Sequence, residues 1–233
     1  MKPLWSLLKL TTPTKHKVKA PKIHFLYKPP ESCYLAFSGG VDSVVLLHVL
    51  LNKGYDVTLL NVDHGNEFAR QEVEFCVQTA NKLALDYVIS QIPIYDKETS
   101  LEAKRTSREA FWSKYRNNVF QSMDKPVFTA HHLSDAVTWW VMSTMQGCPK
   151  LLNYSNRNIF RPLLGTTKKQ ILEYANYHNL TYLTDPTNGD PDYCLRNKVN
   201  HLAMGGLREC FPGVEKTVRR LIQEKEARLK EEI

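Results

Sequence analysis

Cys33-Tyr34-Leu35-Ala36-Phe37-Ser38-Gly39-Gly40-Val41-Asp42-Ser43-Val44-Val45-Leu46-Leu47 is the stretch on which the fold turns. An apolar run of strand length meets a glycine pair and passes at once into an apolar helical run. Gly39 and Gly40 lack Cβ atoms, so the backbone can turn sharply and present N–H groups to an anion. A helix starting near Asp42 and Ser43 adds unpaired N–H donors and a favourable dipole. The hydroxyls of Ser38 and Ser43 can donate to phosphate oxygens, and Val41 anchors the turn. Asp42 repels phosphate, so its expected work there is through Mg²⁺. A glycine turn capped by Asp or Ser is also an ordinary helix lead-in. The complete hexapeptide between a buried strand and an apolar helix favours phosphate binding. It has neither the spacing nor the lysine of G-x-x-x-x-G-K-[ST], which argues against γ-phosphate cleavage.

Working outward, strands and helices alternate. Strands are expected at 33–37, 57–62, 87–92 and 126–129. Helices are expected at 43–52, 67–85, 101–123 and 134–146. This order predicts parallel βαβ units, hence an α/β fold with a doubly wound open parallel sheet whose ligands sit at the carboxyl ends of the strands. After residue 147 the texture changes to a turn-rich loop (147–158), a helix at 167–178 and another turn-rich stretch (185–192). A charged helix at 213–233 carries a thin apolar stripe of Val214, Val218, Leu221, Ile222 and Leu229. The expected division is a basic N-terminal arm (1–30), a nucleotide-binding domain (31–212) and a small helical C-terminal extension (213–233). No internal repeat is visible.

Among 233 residues, 31 Lys+Arg against 24 Asp+Glu give a formal charge of +7, compatible with a polyanionic partner. Lys2, Lys9, Lys15, Lys17, Lys19, Lys22 and Lys28 fall in the first thirty residues without an acid. That segment reads equally as a solvated leader or an RNA-contacting arm. No apolar run is long enough to span a bilayer, and no apolar segment follows the first lysine as in a secretory signal. Cys33, Cys76, Cys148, Cys194 and Cys210 include no C-x-x-C pair, so zinc-ribbon and iron–sulfur spacings are missing. An odd count of cysteines fits a reducing cytoplasm.

Ser38-Gly39-Gly40-Val41-Asp42-Ser43 resembles the signature of the PP-loop ATP pyrophosphatases, which release pyrophosphate after transferring AMP to a substrate. Five further segments resemble one family among them, the tRNA(Ile)-lysidine synthetases. Val62-Asp63-His64-Gly65 is similar to its V-D-H-G, and Glu102-Ala103-Lys104-Arg105-Thr106-Ser107-Arg108 to its E-A-A-R-x-x-R. Thr129-Ala130-His131-His132-Leu133-Ser134-Asp135 resembles T-A-H-H-x-x-D, and Arg161-Pro162-Leu163-Leu164 matches R-P-L-L. Asp185-Pro186-Thr187-Asn188, followed by Asp190, Tyr193, Arg196 and Asn197, resembles the D-P-[ST]-N segment that closes on R-N.

The resemblance implies adenylation of the wobble cytidine of an isoleucine tRNA with a CAU anticodon. Attack by free lysine would then expel AMP and give lysidine. It implies ATP and Mg²⁺ as cofactors, with Ser38 to Ser43, Asp63 and His64 binding the nucleotide. Asp42 and Asp135 are the implied metal ligands; Asp42, His131, His132, Asp135, Arg108 and Arg196 are the implied catalytic set. The arginines are guanidinium forks suited to phosphates or to a carboxylate. A homodimer is compatible with the sequence, and no membrane is expected.

The chain departs from the family in two ways. After Asp135 the family continues Q-x-E-T, where this chain has Ala136-Val137-Thr138-Trp139-Trp140; Glu109 replaces a Tyr and Lys104 an Ala. The missing Glu keeps two other functions open: adenylation for a different acceptor amine, and a catalytically impaired nucleotide- and tRNA-binding relative. Many family members also carry further C-terminal domains, so RNA grip is expected here from residues 1–30, the arginines and the last helix. Trp139 and Trp140 can stack on bases at about 1–3 kcal/mol each, although helix packing is the expected use of at least one.

Overall fold

A computed structural model describes residues 21–231. Its sheet has six strands in the order β3-β2-β1-β4-β6-β5. These are β1 (Ser32–Ala36), β2 (Asp56–Asp63), β3 (Tyr87–Gln91), β4 (Val127–Phe128), β5 (Ser155–Asn156) and β6 (Ile159–Phe160). β1, β2, β3, β4 and β6 run parallel, and only the edge pair β5–β6 is antiparallel. The doubly wound α/β fold is therefore present, with the expected parallel sheet turned antiparallel at one edge. β5 lies inside the stretch expected to be loop; two residues leave no alternation to read.

The winding reverses between β1 and β4. β1, α1 (Val41–Asn52), β2, α2 (Glu67–Leu83) and β3 progress to one side, and the chain then returns to lay β4 on the other side of β1. A crevice thus opens past the carboxyl ends of β1 and β4, where a doubly wound sheet leaves room for a ligand. α1 is buried almost all round, Val45, Leu46 and Leu50 at 0%, which is why its sequence is apolar throughout. His48 lies inside it, with Nδ1 2.8 Å from the Tyr174 hydroxyl, and burial beside His178 pushes its pKa down to about 4.

Cys33, Leu35 and Phe37 join α1, α2 and α6 (Lys168–Tyr177) in one core, while Leu60, Val62, Ile92, Phe120 and Val127 form a second on the opposite face. Burial pushes the Cys33 and Cys76 thiols up to about 12, leaving them as apolar fillers. A third core joins α5 (Leu133–Met145) to α8 (Met204–Cys210) and α9 (Val214–Glu231) through Leu133, Val137, Met204, Val218 and Ile222. Val214, Val218 and Ile222 of the stripe read from sequence are thus buried, whereas Leu229 is 39% exposed, and the buried face continues in an acid: Glu226, 6% exposed, accepts from the Tyr154 N–H at 2.6 Å.

Two helical expectations change. The segment 101–123 is two helices, α3 (Leu101–Arg105) and α4 (Arg108–Ser122), because Ser107 accepts from Ala110 N–H and starts a new helix. The Tyr95 hydroxyl holds the break through the carbonyl oxygens of Ala103 and Thr106. Arg196 and Asn197 open α7 (Leu195–Leu202), a helix the sequence did not announce. Of the basic arm, residues 1–20 lie outside the described residues, and with them most of its lysines. Residues 21–30 are packed: Ile23 is 6% exposed, and the Tyr27 carbonyl accepts from the Tyr154 hydroxyl. No helix among the described residues is long and apolar enough to cross a membrane.

Candidate functional site

The loop after β1 is held in a conformation that only glycine adopts cheaply. Gly39 has φ +77°, and a Cβ there would lie 2.7 Å from Phe75 Cδ1 and 3.0 Å from Leu183 Cδ1. Its carbonyl accepts from Leu183 N–H at 2.8 Å, which pins the turn. Gly40 then N-caps α1 without any side-chain hydrogen bond, so first-turn N–H groups are left without an intrahelical partner, the setting in which helix N-termini bind anions. Val41 is buried beneath the loop. Ser43 is also buried and donates to the Gly40 carbonyl at 2.9 Å, while Ser38 stands exposed with its Oγ 3.5 Å from that of Ser43.

Asp42, in the first turn of α1, meets the loop after β4. Both its oxygens accept from Lys168 Nζ, at 2.7 and 2.8 Å, and Oδ1 lies 3.5 Å from His132 Nε2. His132 caps α5: its Nδ1 accepts from Asp135 N–H at 3.3 Å, and Asp135 Oδ2 accepts from His132 N–H at 3.0 Å. This capping box assigns Nδ1 as acceptor and leaves Nε2 on the Asp42 side of the ring. Asp42 and Asp135 thus flank one imidazole on opposite ring nitrogens, so an ion held by both needs water or phosphate between them.

His131 sits beside them, its Nδ1 2.9 Å from Thr129 Oγ1. Burial pushes its pKa down to about 4; Arg161, Arg116 and Arg196 push the same way and Asp135 opposes. At neutral pH it is an uncharged ring. Burial would raise the Asp135 carboxyl, but in the acid range where it titrates the protonated rings of His132 and His131, together with the His132 N–H, hold it below the usual carboxylate range.

The remaining expected residues occupy the β2 side and the rim. Asp63 ends β2 and accepts from Gly65 N–H at 2.8 Å. His64 stacks on Trp112 at 5.0 Å, and burial, with Arg116 nearby, pushes its pKa down to about 4. Arg108 is exposed over the rings of Tyr95, Trp112 and Tyr193 at 5.6, 5.8 and 5.5 Å. Arg196 reaches back so that Nε lies 3.5 Å from Glu109 Oε1, and its charge is felt at His131 and Asp135. Glu109, one of the departures from the family pattern, therefore orients Arg196. Asn197 donates to the carbonyls of Thr187 and Asp190 and ties down the turn-rich segment.

Three charged residues here escaped the sequence reading. Lys168 looks like any polar opening of a helix, and only the approach of α6 to α1 puts it on Asp42. Arg116 follows Arg108 and Trp112 at i+8 and i+4, a spacing that was legible. Glu72 has no sequence signal at all. Burial, with Asp185 close by and Asp63 adding, pushes its carboxyl up to about 8 against the pull of Arg116.

A carboxyl with a folded pKa above its ordinary 4.5 binds an extra proton in the native state between those values. Its contribution to stability is complete below pH 4.5 and is lost as pH rises through 8. Glu72→Gln is therefore expected to leave the thermal midpoint nearly unchanged at pH 5 and to stabilise the protein at pH 9 by about 1–3 kcal/mol. The same shift at both pH values would refute the assignment.

Mg²⁺ fits this donor set. It is commonly held by one or two carboxylates together with substrate phosphates, and Asp42 lies in the first turn of α1 beside its uncapped N–H groups. Among the described residues no group of three or more His, Cys, Asp or Glu side chains forms a closed metal cage.

The sequence profile of the PP-loop domain family matches residues 10–204. A tRNA(Ile)-lysidine synthase of Nitrosomonas europaea is 31% identical over 214 residues, covering 84% of this chain and 45% of that protein. Another, from Thermosipho africanus, is 30% identical over 201 residues, covering 81% and 47%. The chain thus spans about half the length of the curated relatives it matches. Among solved structures, an NMN synthetase of Francisella tularensis is similar at 18% identity and TM-score 0.43, covering 65% of this chain and 63% of that one. An NH3-dependent NAD synthetase of Campylobacter jejuni is similar at 17% and 0.41, covering 83% and 85%. The chain belongs to the PP-loop domain family, and the curated relatives named above are tRNA(Ile)-lysidine synthases.

Proposed function

We propose that the chain is an ATP-dependent tRNA-modifying ligase that adenylates the wobble cytidine of an isoleucine tRNA with a CAU anticodon and joins lysine to it. The observation that carries this reading is the meeting of Asp42, on the phosphate cradle, with His132 of the β4 loop at 3.5 Å. It brings an ATP-binding element and a polar, partly buried set of side chains to one crevice.

In the first step O2 of the cytosine attacks the α-phosphorus and pyrophosphate leaves. Ser38 and the N–H groups of residues 39–43 hold the leaving phosphates. Asp42 would hold Mg²⁺, which when bound supplies positive charge to the phosphate oxygens. Lys168, already on Asp42, is placed to follow the phosphate charge. In the second step the lysine ε-amine attacks C2, the C2–O bond to AMP breaks, and the proton released by the amine passes to solvent. His131, neutral at pH 7, is the group we assign to hydrogen-bond the reacting base, and Arg108 and Arg196 offer forks for phosphate or the lysine carboxylate. Asp135 acts through His132 as a positioning residue. We place this activity in the cytoplasm, consistent with an odd number of cysteines.

A second reading has one specific observation behind it. Counted from Asp135, the family's Glu falls at Thr138. Thr138 is 2% exposed and spends its hydroxyl on Ser134 O at 3.1 Å and Asn200 Oδ1 at 2.8 Å. A buried hydroxyl between α5 and α7 cannot replace a carboxylate near the amine, which favours a different acceptor in the second step. One reaction separates the readings: ATP, Mg²⁺, labelled lysine and the tRNA transcript, with nucleosides read by mass spectrometry. Lysidine supports the first reading. AMP and pyrophosphate that depend on tRNA, without lysidine, transfer support to the second. Bound tRNA without pyrophosphate overturns both.

A further inference from the structure

Between α5 and α9 lies a cavity of about 650 Å³, walled by Trp139, Trp140, Lys150, Leu221, Lys225 and Arg161 among others. Its volume falls in the roughly 300–1,000 Å³ range of small-ligand sites. None of its lining residues is an acid. The two indoles are used differently. Trp140 packs on the third core, whereas Trp139 is 44% exposed. Trp139 shares the cavity wall with Lys150, Lys225 and Arg161, which sets an aromatic face among cations. Arg161 donates from Nη1 to the Asn153 carbonyl at 2.9 Å, yet its buried Nε has no hydrogen-bond partner among the described residues.

Arg161 links the cavity to the candidate active site, since it lines the one and its charge is felt at His131 in the other. β4 and β6 are parallel neighbours, paired at Phe128 and Phe160. His131 follows the end of one and Arg161 the end of the other, so both emerge at the same edge.

We propose that this cavity is a second nucleic-acid subsite, which takes one unpaired base of the RNA that carries the reacting base. The base stacks on Trp139, and its flanking phosphates meet Lys150, Lys225 and Arg161. A π-face and a cation pair recognise any unstacked nucleotide and reject a duplex, whose bases are already stacked. The proposal rests on the tRNA reading above for the identity of the RNA. Its occupant is single-stranded RNA, not a protein helix, because cations line the hollow without any acid.

The test is fluorescence anisotropy with a short RNA hairpin bearing an unpaired pyrimidine loop, and with a fully paired duplex of the same length. Trp139→Ala is expected to weaken hairpin binding by roughly five- to a hundredfold and to leave duplex binding unchanged. Trp139→Phe should restore most of the loss, and half exposure of the indole keeps both variants folded. The double change Lys150→Gln, Lys225→Gln should lower the slope of log affinity against log salt by about 1.4. Wild-type hairpin affinity in Trp139→Ala, or an equal loss on duplex, overturns the subsite. Pyrophosphate release keeps the two proposals apart. Trp139-dependent hairpin binding without tRNA-dependent release leaves the subsite standing and removes the adenylation reading. Release with an unchanged RNA KM in Trp139→Ala does the reverse.

Discussion

Asp42→Asn should lower tRNA-dependent pyrophosphate release by two or more orders of magnitude. The change is nearly isosteric and removes one negative charge from the first turn of α1. Losing a metal ligand at the phosphates forfeits several kcal/mol of transition-state stabilisation, and each 1.36 kcal/mol is about tenfold in rate. Stability should hardly move. Asp42 and Lys168 side chains are 32% and 39% exposed, and such a pair contributes about 0–1 kcal/mol. Measured together, release and thermal midpoint separate a catalytic loss from unfolding. Unchanged release would mean that the ATP phosphates lie elsewhere.

Gly39→Ala should have the largest effect on the fold of any single methyl added to the loop. A residue with φ +77° pays about 1–2 kcal/mol once it carries a Cβ. The Cβ would also stand 2.7 Å from Phe75 Cδ1, and such overpacking costs about 1–3 kcal/mol. Together these predict roughly 2–5 kcal/mol of destabilisation and a thermal midpoint lower by about 4–20 °C. ATP affinity should fall as well, because relief of the clash moves the cradle. Gly40→Ala is the control. Gly40 lacks a positive φ, and its nearest contact for a Cβ is Ser38 Oγ at 3.5 Å, so its midpoint should stay close to wild type. Equal midpoints for the two variants would refute the geometry of the turn.

Legibility differed from element to element. β1 and α1 were read correctly because local pattern and tertiary position agree: the strand is apolar on its buried residues, and the helix is buried all round. The segment 101–123 misled because α4 carries almost no one-sided apolar face, so periodicity could not mark where one helix stopped and the next began. The cue was Ser107, a capping residue inside an otherwise helical pattern. α9 showed its stripe but not its meaning, since Glu226 looks like a solvated acid until Tyr154 N–H is brought to it.

By itself the sequence determined the α/β alternation, the glycine turn at the end of β1 and the identity of most polar residues near it. These depend on neighbours within a few positions, where steric and hydrogen-bond preferences act directly. Only the tertiary structure decided that Lys168, 126 residues from Asp42, is its cation, that Glu109 orients Arg196, and that Thr138 is sealed between α5 and α7. It alone also made one cavity from Trp139, Lys150, Arg161 and Lys225, which sit on separate elements. Contacts of that kind are set by how helices pack on a twisted sheet, and no local preference along the chain encodes them.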